Sequence, residues 1–345
     1  MRLQSWMFVS LLAGTSAVST NVHESRRVRE SRMTSLTDGQ VVTGRFTGAA
    51  GSRPWRLFIP STLNQSTPRT MLVMLHGCTQ NAEDFARGTR MDVIAEEQGF
   101  LVLYPEQAPE ANPRGCWNWF SPEHQRRGAG EPDILSALIG DVGAQYRADP
   151  ARVHVIGVSA GAAMAGLLAV AYPHQFASLS MASGMSWLAA SDVPSALNVM
   201  RGGAGASVAT AQQMITAMGT DARAIPTLVL HGDNDAVVNA RNADESAAQW
   251  VAIHKELRRD TGRPTLVTEV NAAARTEHEY HVQEQSWRDD RGLDVVTVVH
   301  IRELGHAWSG GSPSGTFTDE KGPDASRMIA AFCARHPTVS LSPHR

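Results

Sequence analysis

Residues 153–161 contain a serine in a setting typical of a nucleophile. An apolar, β-branched run ends in Gly-x-Ser-x-Gly, and small residues with helical spacing follow directly. A serine at a sharp strand-to-helix turn presents its Oγ beyond the end of a sheet, where it can attack a carbonyl carbon. Gly157 and Gly161 suit places where neighbouring backbone leaves no room for a Cβ. The pattern predicts Ser159 as a nucleophile, and the alternative is an ordinary tight turn between a strand and a helix.

An acid and a base for this serine follow later in the chain. A serine hydroxyl is a weak nucleophile, so it needs a base, and the base needs a carboxylate that orients it. Asp233 and Asp235 follow the apolar run 227–230, and His306 lies in a glycine-rich loop after the run 295–301. We favour Asp235 because its spacing carries the carboxylate past the strand end and back toward the base. Asp233 is expected to shape the turn through backbone hydrogen bonds.

Two backbone N–H groups are candidates for binding the oxyanion that such an attack creates. One donor is expected from the residue after the nucleophile, which is Ala160, and the other from an earlier strand-end loop. Residues 75–80 form a loop of that kind, and we choose the Cys78 N–H as the second donor.

The elements that must position these residues alternate along the chain. Short apolar runs separated by helical patterns are typical of the α/β class, with a mainly parallel sheet covered by helices on both faces. Residues 186–220, rich in Ala, Gly and Ser, are interpreted as an insertion over the site. We expect one catalytic domain over residues 40–338. The predicted strands are 55–59, 71–75, 100–104, 153–156, 176–181, 227–230 and 295–301, and the predicted helices are 82–98, 132–146, 160–171, 239–257 and 323–333.

Composition argues against several other classes of protein. With 42% hydrophobic and 19% charged residues, the chain of 345 residues has the make-up of a folded globular protein. A formal net charge of −3 gives no field that would attract nucleic acid or an anionic membrane. His278 and His281 flank Glu279 without forming the HExxH zinc motif, so we expect no metal site and no cofactor. The oligomeric state is not indicated by the sequence.

The first 39 residues allow two interpretations. Residues 1–19 contain Arg2, an apolar stretch and the small-residue site Ala17-Val18-Ser19, which resembles a cleavable secretory signal. This stretch is too short and too interrupted to span a bilayer. The signal predicts an extracellular or periplasmic protein, whereas four arginines between positions 26 and 32 favour the cytoplasm. Residues 20–39 are polar without periodicity and are predicted to be a disordered lead-in.

Taken together, the motifs resemble the PHB-depolymerase family of esterases, which are α/β-hydrolases. The resemblance runs from about residue 41 to residue 332, and its combined motifs are far more specific than any one of them. The family includes poly(3-hydroxybutyrate) depolymerases and relatives that act on feruloyl or acetyl esters. The motifs are LHGCTQ at 75–80, CWNWF at 116–120, RRGAGEPDI at 126–134, GVSAGAAMA at 157–165, HGDNDAVV at 231–238, GHAWSGG at 305–311 and TDEKGPDAS at 318–326.

The resemblance implies the same triad and oxyanion donors as the residues do, together with a disulfide between Cys78 and Cys116. It implies hydrolysis of polyhydroxybutyrate-type oligoesters or related short esters, and feruloyl or acetylxylan ester hydrolysis is the alternative. Trp117, Trp119 and Trp308 are predicted to line the acyl or alcohol site, because flat aromatic rings bind ester chains and sugar rings alike. For each tryptophan the alternative is packing in the core. Extracellular polymer-degrading members carry a linker and a substrate-binding domain, whereas this sequence shows neither, so tight adsorption to solid polyester is not expected.

The sequence leaves two rival functions open. A serine peptidase on the same fold would be expected to carry a large accessory domain, which the sequence does not show. A catalytically silent binding protein on this fold would be expected to lack a member of the triad, and all three residues are present.

Overall fold

The apolar runs of the sequence form the centre of one mixed sheet in the computed structural model, which describes residues 34–35, 39–62, 68–205, 208–259, 268–271 and 275–337. The strands are β1 (Thr34–Ser35), β2 (Gly39–Gly48), β3 (Gly51–Pro60), β4 (Arg69–Leu75), β5 (Leu101–Pro105), β6 (Ala148–Val158), β7 (Ser178–Ala182), β8 (Thr227–Gly232), β9 (Thr268–Asn271), β10 (Arg275–Glu277), β11 (Tyr280–Arg288), β12 (Asp294–Ile301), β13 (Trp308–Ser309) and β14 (Thr318–Asp319). The helices are α1 (Ala82–Thr89), α2 (Met91–Gln98), α3 (Gly130–Gln145), α4 (Ala160–Ala171), α5 (Val193–Gly202), α6 (Ala211–Met218), α7 (Arg241–Arg259) and α8 (Ala325–Arg335).

Within the described ranges the main sheet has the order β1-β2-β3-β5-β4-β6-β7-β8-β12-β11-β10, with β9 paired to β11. The six strands from β5 to β12 in this order are parallel to one another. Antiparallel strands extend the sheet on both sides of them. Since neighbouring parallel strands end at the same edge, the loops after β4, β6, β7, β8 and β12 share one edge of the sheet. This is the α/β-hydrolase type of fold, in one domain, as the sequence predicts.

Alternate residues of the central strands enter two separate cores. In β4, Val73 and Leu75 pack with α3, α4 and α7, whereas Leu72 and Met74 pack with α1, α2 and α8. Both faces of these strands are buried, which explains why their sequences read as continuous apolar runs. All twelve residues of α4 are buried, and its small side chains let the helix lie close to the sheet.

Some local predictions were wrong. The helix expected over 82–98 is two helices, because Arg90 adopts a left-handed conformation with φ 53° between α1 and α2. The segment 186–220, interpreted as an insertion, contains α5 and α6, two helices absent from the predicted set. Thr34 and Ser35, inside the predicted disordered lead-in, pair with β2. The predicted signal at 1–19 lies outside the described residues, and the domain limits 40–338 stay a prediction.

The turn from β6 to α4 depends on two glycines. A Cβ at Gly157 would lie 2.2 Å from the Gly161 carbonyl oxygen, and a Cβ at Gly161 would lie 2.2 Å from the Leu75 carbonyl oxygen. Real Cβ contacts are never this short, and backbone cannot move aside as a flexible side chain can. The crossing of this turn under the end of β4 therefore requires glycine at both positions.

We predict that Gly161→Ala lowers the free energy of unfolding by about 3 kcal/mol, the upper end of the usual cost of overpacking. Urea denaturation measures this change. Gly166→Ala in the same helix is the matched control, because the nearest atom to its Cβ, Met181 Cε, is 3.7 Å away. The control should leave stability unchanged or raise it by up to about 1 kcal/mol through helix propensity. Equal stability of the two variants would contradict the steric argument.

Candidate active site

Ser159 lies at the tip of the turn, in a strained backbone conformation. Its φ is 55° and its ψ is −124°, which non-glycine residues rarely adopt. Its N–H donates to the Ala182 carbonyl at 2.9 Å, and its carbonyl accepts from the N–H groups of Ala162 and Ala163 at 3.0 and 3.1 Å. The backbone is thus fixed on both sides of the serine. This is the geometry expected of a nucleophile at a strand-to-helix elbow.

Asp235 and His306 form a hydrogen-bonded pair at the same edge of the sheet. The distance from His306 Nδ1 to Asp235 Oδ2 is 2.7 Å. Asp235 Oδ1 accepts from the N–H groups of Val237 and Val238, both at 2.8 Å, which fixes the orientation of the carboxylate. A carboxylate can only accept here, so His306 must carry its proton on Nδ1. The neutral imidazole then presents Nε2 as a base.

The charge of Asp235 is stabilised although its side chain is fully buried. Burial raises the pKa of this carboxyl, but hydrogen bonds from His231 and His306 outweigh it, so the pKa lies below its ordinary value. His231 Nε2 is 3.4 Å from Asp235 Oδ2 and closer, at 2.8 Å, to the Val238 carbonyl oxygen. His231 Nε2–H is thus shared between the two acceptors, with the shorter contact to the carbonyl and the longer one to Asp235. Asp235 remains ionised at neutral pH and can stabilise an imidazolium at His306.

The competing carboxylate, Asp233, does not contact His306 in the described structure. Asp233 Oδ1 lies 2.8 Å from His300 Nδ1, and His300 Nε2 lies 3.0 Å from Asp244 Oδ1. These two bonds join β12 to the loop after β8 and to the start of α7. The side chain of Asp233 thus pairs with a histidine, rather than shaping the turn through backbone hydrogen bonds as expected from the sequence.

The loop after β4 lies against the nucleophile and is held by several contacts. A Cβ built on Gly77 would be 3.5 Å from the Ser159 Cβ. The Gly77 N–H donates to Gln80 Oε1 at 3.0 Å, and the Thr79 N–H donates to the Arg114 carbonyl at 2.7 Å. Cys78 forms a disulfide with Cys116. These contacts fix the backbone around the Cys78 N–H, the proposed oxyanion donor.

Glu131 is a positioning residue that sequence reasoning missed. Its carboxylate is fully buried and pairs with Arg53 at 3.2 Å. It also accepts from Gln107 Nε2 at 2.5 Å and from the Asn118 N–H and Nδ2 at 2.7 Å each. Gln107 in turn donates its backbone N–H to His76 Nε2 at 3.1 Å. Glu131 therefore connects the loop that contains Asn118 to the loop after β4. The motif RRGAGEPDI contained this residue, but nothing in the sequence named its partners.

The three predicted substrate-lining tryptophans are buried. Trp117 is 0% exposed and donates its Nε1–H to the His76 carbonyl at 3.1 Å. Trp308 is 2% exposed and donates to Ser326 Oγ at 3.0 Å, while its ring packs edge-on against Phe85. Trp119 is 5% exposed. Their contact with substrate stays a prediction. Little of their surface is exposed, and their observed contacts are those of core packing.

Two features are absent from the described residues. No group of three or more His, Cys, Asp or Glu side chains is arranged to hold a metal ion in these ranges. None of the helices in the part of the chain that the structure describes is long and apolar enough to cross a membrane. Cys333, the remaining thiol, is buried, and burial raises its pKa to about 12.

The model of one protein family matches residues 55–265, and its description is esterase PHB depolymerase. The chain belongs to this family. Poly(3-hydroxyalkanoate) depolymerase C of Paucimonas lemoignei is 30% identical over 57% of this chain, which spans 47% of the depolymerase's own length. Acetylxylan esterase A of Aspergillus oryzae is 27% identical over 73% of this chain and 82% of its own length.

Solved structures show the same fold. An acetyl xylan esterase from Aspergillus awamori matches with a TM-score of 0.64 at 19% identity, covering 85% of this chain and 99% of that chain. At this identity the match supports the arrangement of strands and helices, and it says nothing of the substrate.

We predict that Asp235→Asn lowers kcat for a short ester by about 10⁴-fold, because an amide stabilises the wrong tautomer of the histidine and carries no charge. Steady-state kinetics at pH 7 measure the change. Asp233→Asn is the matched control, since it makes the same substitution two residues away without touching His306, and should keep kcat within about twofold. A large loss in the Asp233 variant with little loss in the Asp235 variant would reverse our choice of acid.

Proposed function

We propose that this protein is a serine carboxylic ester hydrolase that works through an acyl-enzyme, with Ser159, Asp235 and His306 as its triad. The observation that carries the proposal is the buried Asp235–His306 hydrogen bond at the same sheet edge as a strained serine elbow. Family membership supports the reaction class. All three residues follow strands of the parallel centre of the sheet: Asp235 and His306 follow the neighbouring strands β8 and β12, and β7 separates β8 from β6, the strand before Ser159.

The first half of the proposed reaction transfers the acyl group to the enzyme. Ser159 Oγ attacks the ester carbonyl carbon while His306 Nε2 takes the hydroxyl proton. The resulting oxyanion accepts hydrogen bonds from the N–H groups of Cys78 and Ala160. The Ala160 N–H is free for this role because the first N–H groups of a helix have no partner within it. The carbon–oxygen bond to the alcohol then breaks, and His306 gives its proton to the departing oxygen.

The second half of the reaction releases the acid. Water attacks the acyl carbon and passes a proton to His306, and the same two N–H groups bind the new oxyanion. Collapse of this intermediate breaks the bond to Ser159 Oγ, which regains the proton from His306. Asp235 stays ionised throughout and stabilises each imidazolium. The mechanism uses no cofactor.

For the substrate we propose polyhydroxybutyrate-type oligoesters or related short esters, with acetylated or feruloylated polysaccharides as the alternative. A depolymerase and acetylxylan esterases are both among the similar proteins, which supports each choice. A panel of hydroxybutyrate oligomers, methyl ferulate, acetylated xylan and p-nitrophenyl esters of graded length tests the proposal. Highest kcat/KM on acetylated xylan or methyl ferulate would favour the alternative.

We predict that Ser159→Ala abolishes hydrolysis of p-nitrophenyl acetate and covalent labelling by a fluorophosphonate, because it removes the hydroxyl that forms the proposed acyl-enzyme. Mass spectrometry detects the label, and absorbance at the p-nitrophenolate band detects turnover. Ser183→Ala is a suitable control, since this buried serine lies at the end of the neighbouring strand β7. Turnover retained by the Ser159 variant would contradict the proposed nucleophile.

We also propose that the chain is exported. The small-residue site at 17–19 supports this, and so does the disulfide next to the nucleophile, because disulfides persist in oxidising compartments. Protein secreted by its native host should have the mass of a chain that begins at Thr20 and contains the Cys78–Cys116 bond. Ala17→Arg should block cleavage and leave the longer mass. Full-length protein with free thiols at both positions would contradict export.

A further inference from the structure

Phe317 is an exposed aromatic residue next to the proposed base, and no role has been assigned to it above. It is the only aromatic side chain among the large hydrophobic residues exposed in the described ranges, with 49% of its surface accessible. Its ring centroid lies 6.3 Å from that of His306, with an angle of 76° between the planes. The phenyl ring therefore contacts the imidazole on one side, and much of its remaining surface faces solvent.

The backbone of Phe317 is strained. Its φ of 52° lies in the left-handed region, which is a genuine outlier for a bulky residue. Such conformations persist only where the surrounding structure enforces them, and they cluster at functional sites. In this protein Ser159, the proposed nucleophile, and Thr79, next to the proposed oxyanion donor, share the feature with φ of 55° and 65°.

Contacts on both sides enforce this conformation. Before the phenylalanine, Thr316 donates its N–H to Asp84 Oδ1 at 3.1 Å and its hydroxyl to Asp84 Oδ2. The Phe317 carbonyl accepts from the Trp308 N–H at 2.7 Å. After it, Thr318 Oγ1 donates to the Ser312 carbonyl at 2.7 Å. The side chain is thus held outward while its neighbours on both sides are bonded to the protein.

The same contacts connect Phe317 to the oxyanion loop. Gln80 Nε2 donates to the Thr316 carbonyl at 3.1 Å, while Gln80 Oε1 accepts from the Gly77 N–H at 3.0 Å. One side chain therefore sets the position of the aromatic residue relative to the loop that carries Cys78.

We propose that Phe317 packs against the alcohol portion of the bound ester and selects for apolar or aromatic alcohols. The inference rests on the proposed function. His306 gives its proton to the departing alcohol oxygen, so the alcohol portion must lie beside the imidazole when the bond breaks. The phenyl ring contacts this imidazole and is therefore close enough to contact an alcohol portion bound beside it. Burial of its exposed surface against an apolar group releases water and stabilises the transition state of acylation.

Two ester series with one variable each test the proposal. Benzyl acetate and methyl acetate differ only in the alcohol, whereas methyl 3-phenylpropanoate and methyl acetate differ only in the acyl group. Phe317→Asn removes the ring and introduces a residue type that tolerates positive φ. We expect it to lower kcat/KM for benzyl acetate by about tenfold, as loss of a buried aromatic contact does. Both methyl esters should change by less than about twofold. Deacylation of the acetyl-enzyme should be unchanged, because the alcohol has already left.

Two further variants separate the contact from folding effects. Phe317→Tyr keeps the ring and should keep the wild-type preference for benzyl acetate over methyl acetate. Val93→Asn replaces an equally exposed apolar residue, 54% accessible on α2, and should leave both series unchanged. An unchanged benzyl-to-methyl ratio in Phe317→Asn would overturn the proposal, and so would an effect confined to the acyl series. Wild-type protein that hydrolyses no ester and takes no fluorophosphonate label would overturn the proposed function as well. Labelled, active protein with an unchanged ratio would overturn only the role of Phe317.

Discussion

The close approach of backbone to backbone beneath Ser159, the proposed nucleophile, is the constraint on which the other features depend. The Gly161 Cα lies so near the Leu75 carbonyl that a single added carbon would collide with it. Because of this approach, the backbone at the end of β4 is in direct contact with the backbone at the start of α4. The loop after β4 and the first N–H groups of α4 are thereby brought to the two sides of one serine. A side chain at position 161 would prevent this contact, because the contact joins main-chain atoms of both segments.

Polar contacts then fix the loops that the sheet alone would leave free. Glu131 acts on the segment that contains Asn118, and Gln80 acts between the loop after β4 and Thr316. Buried carboxylates are stabilising only when every oxygen has a partner, and Glu131 meets this condition with Arg53, Gln107 and Asn118. The disulfide adds a covalent constraint on the same region by closing a loop with a sequence separation of 38. In the chain-entropy model such a closure contributes about 4 kcal/mol to stability.

Sequence patterns predicted what depends on local periodicity and missed what depends on distant partners. The central strands were visible because both of their faces are buried, whereas β11 has only two buried positions and reads as polar chain. The break falls at Arg90, a residue type that does not usually mark a left-handed turn, and Gly88, two residues earlier, lies within α1. Strand-end motifs predicted Asp235 and His306, and the structure brings them into contact. Glu131 bonds to Asn118, Gln107 and Arg53, which lie 13, 24 and 78 residues away. The position of Phe317 depends on the bond between Gln80 and Thr316, which are 236 residues apart, and no local pattern encodes either set of contacts.

The position of β12 in the sheet has a consequence for how the protein is made. The chain emerges from the ribosome with the proposed nucleophile, Ser159, early and the proposed base, His306, late, since His306 follows β12, which pairs with β8 as the last of the parallel strands. Parallel pairing between distant segments is slow, because a long loop must close before any contact forms. A chain in which β12 has not yet paired with β8 therefore lacks the proposed base at the edge of the sheet. Hydrolytic activity in this arrangement appears only when assembly of the sheet is complete.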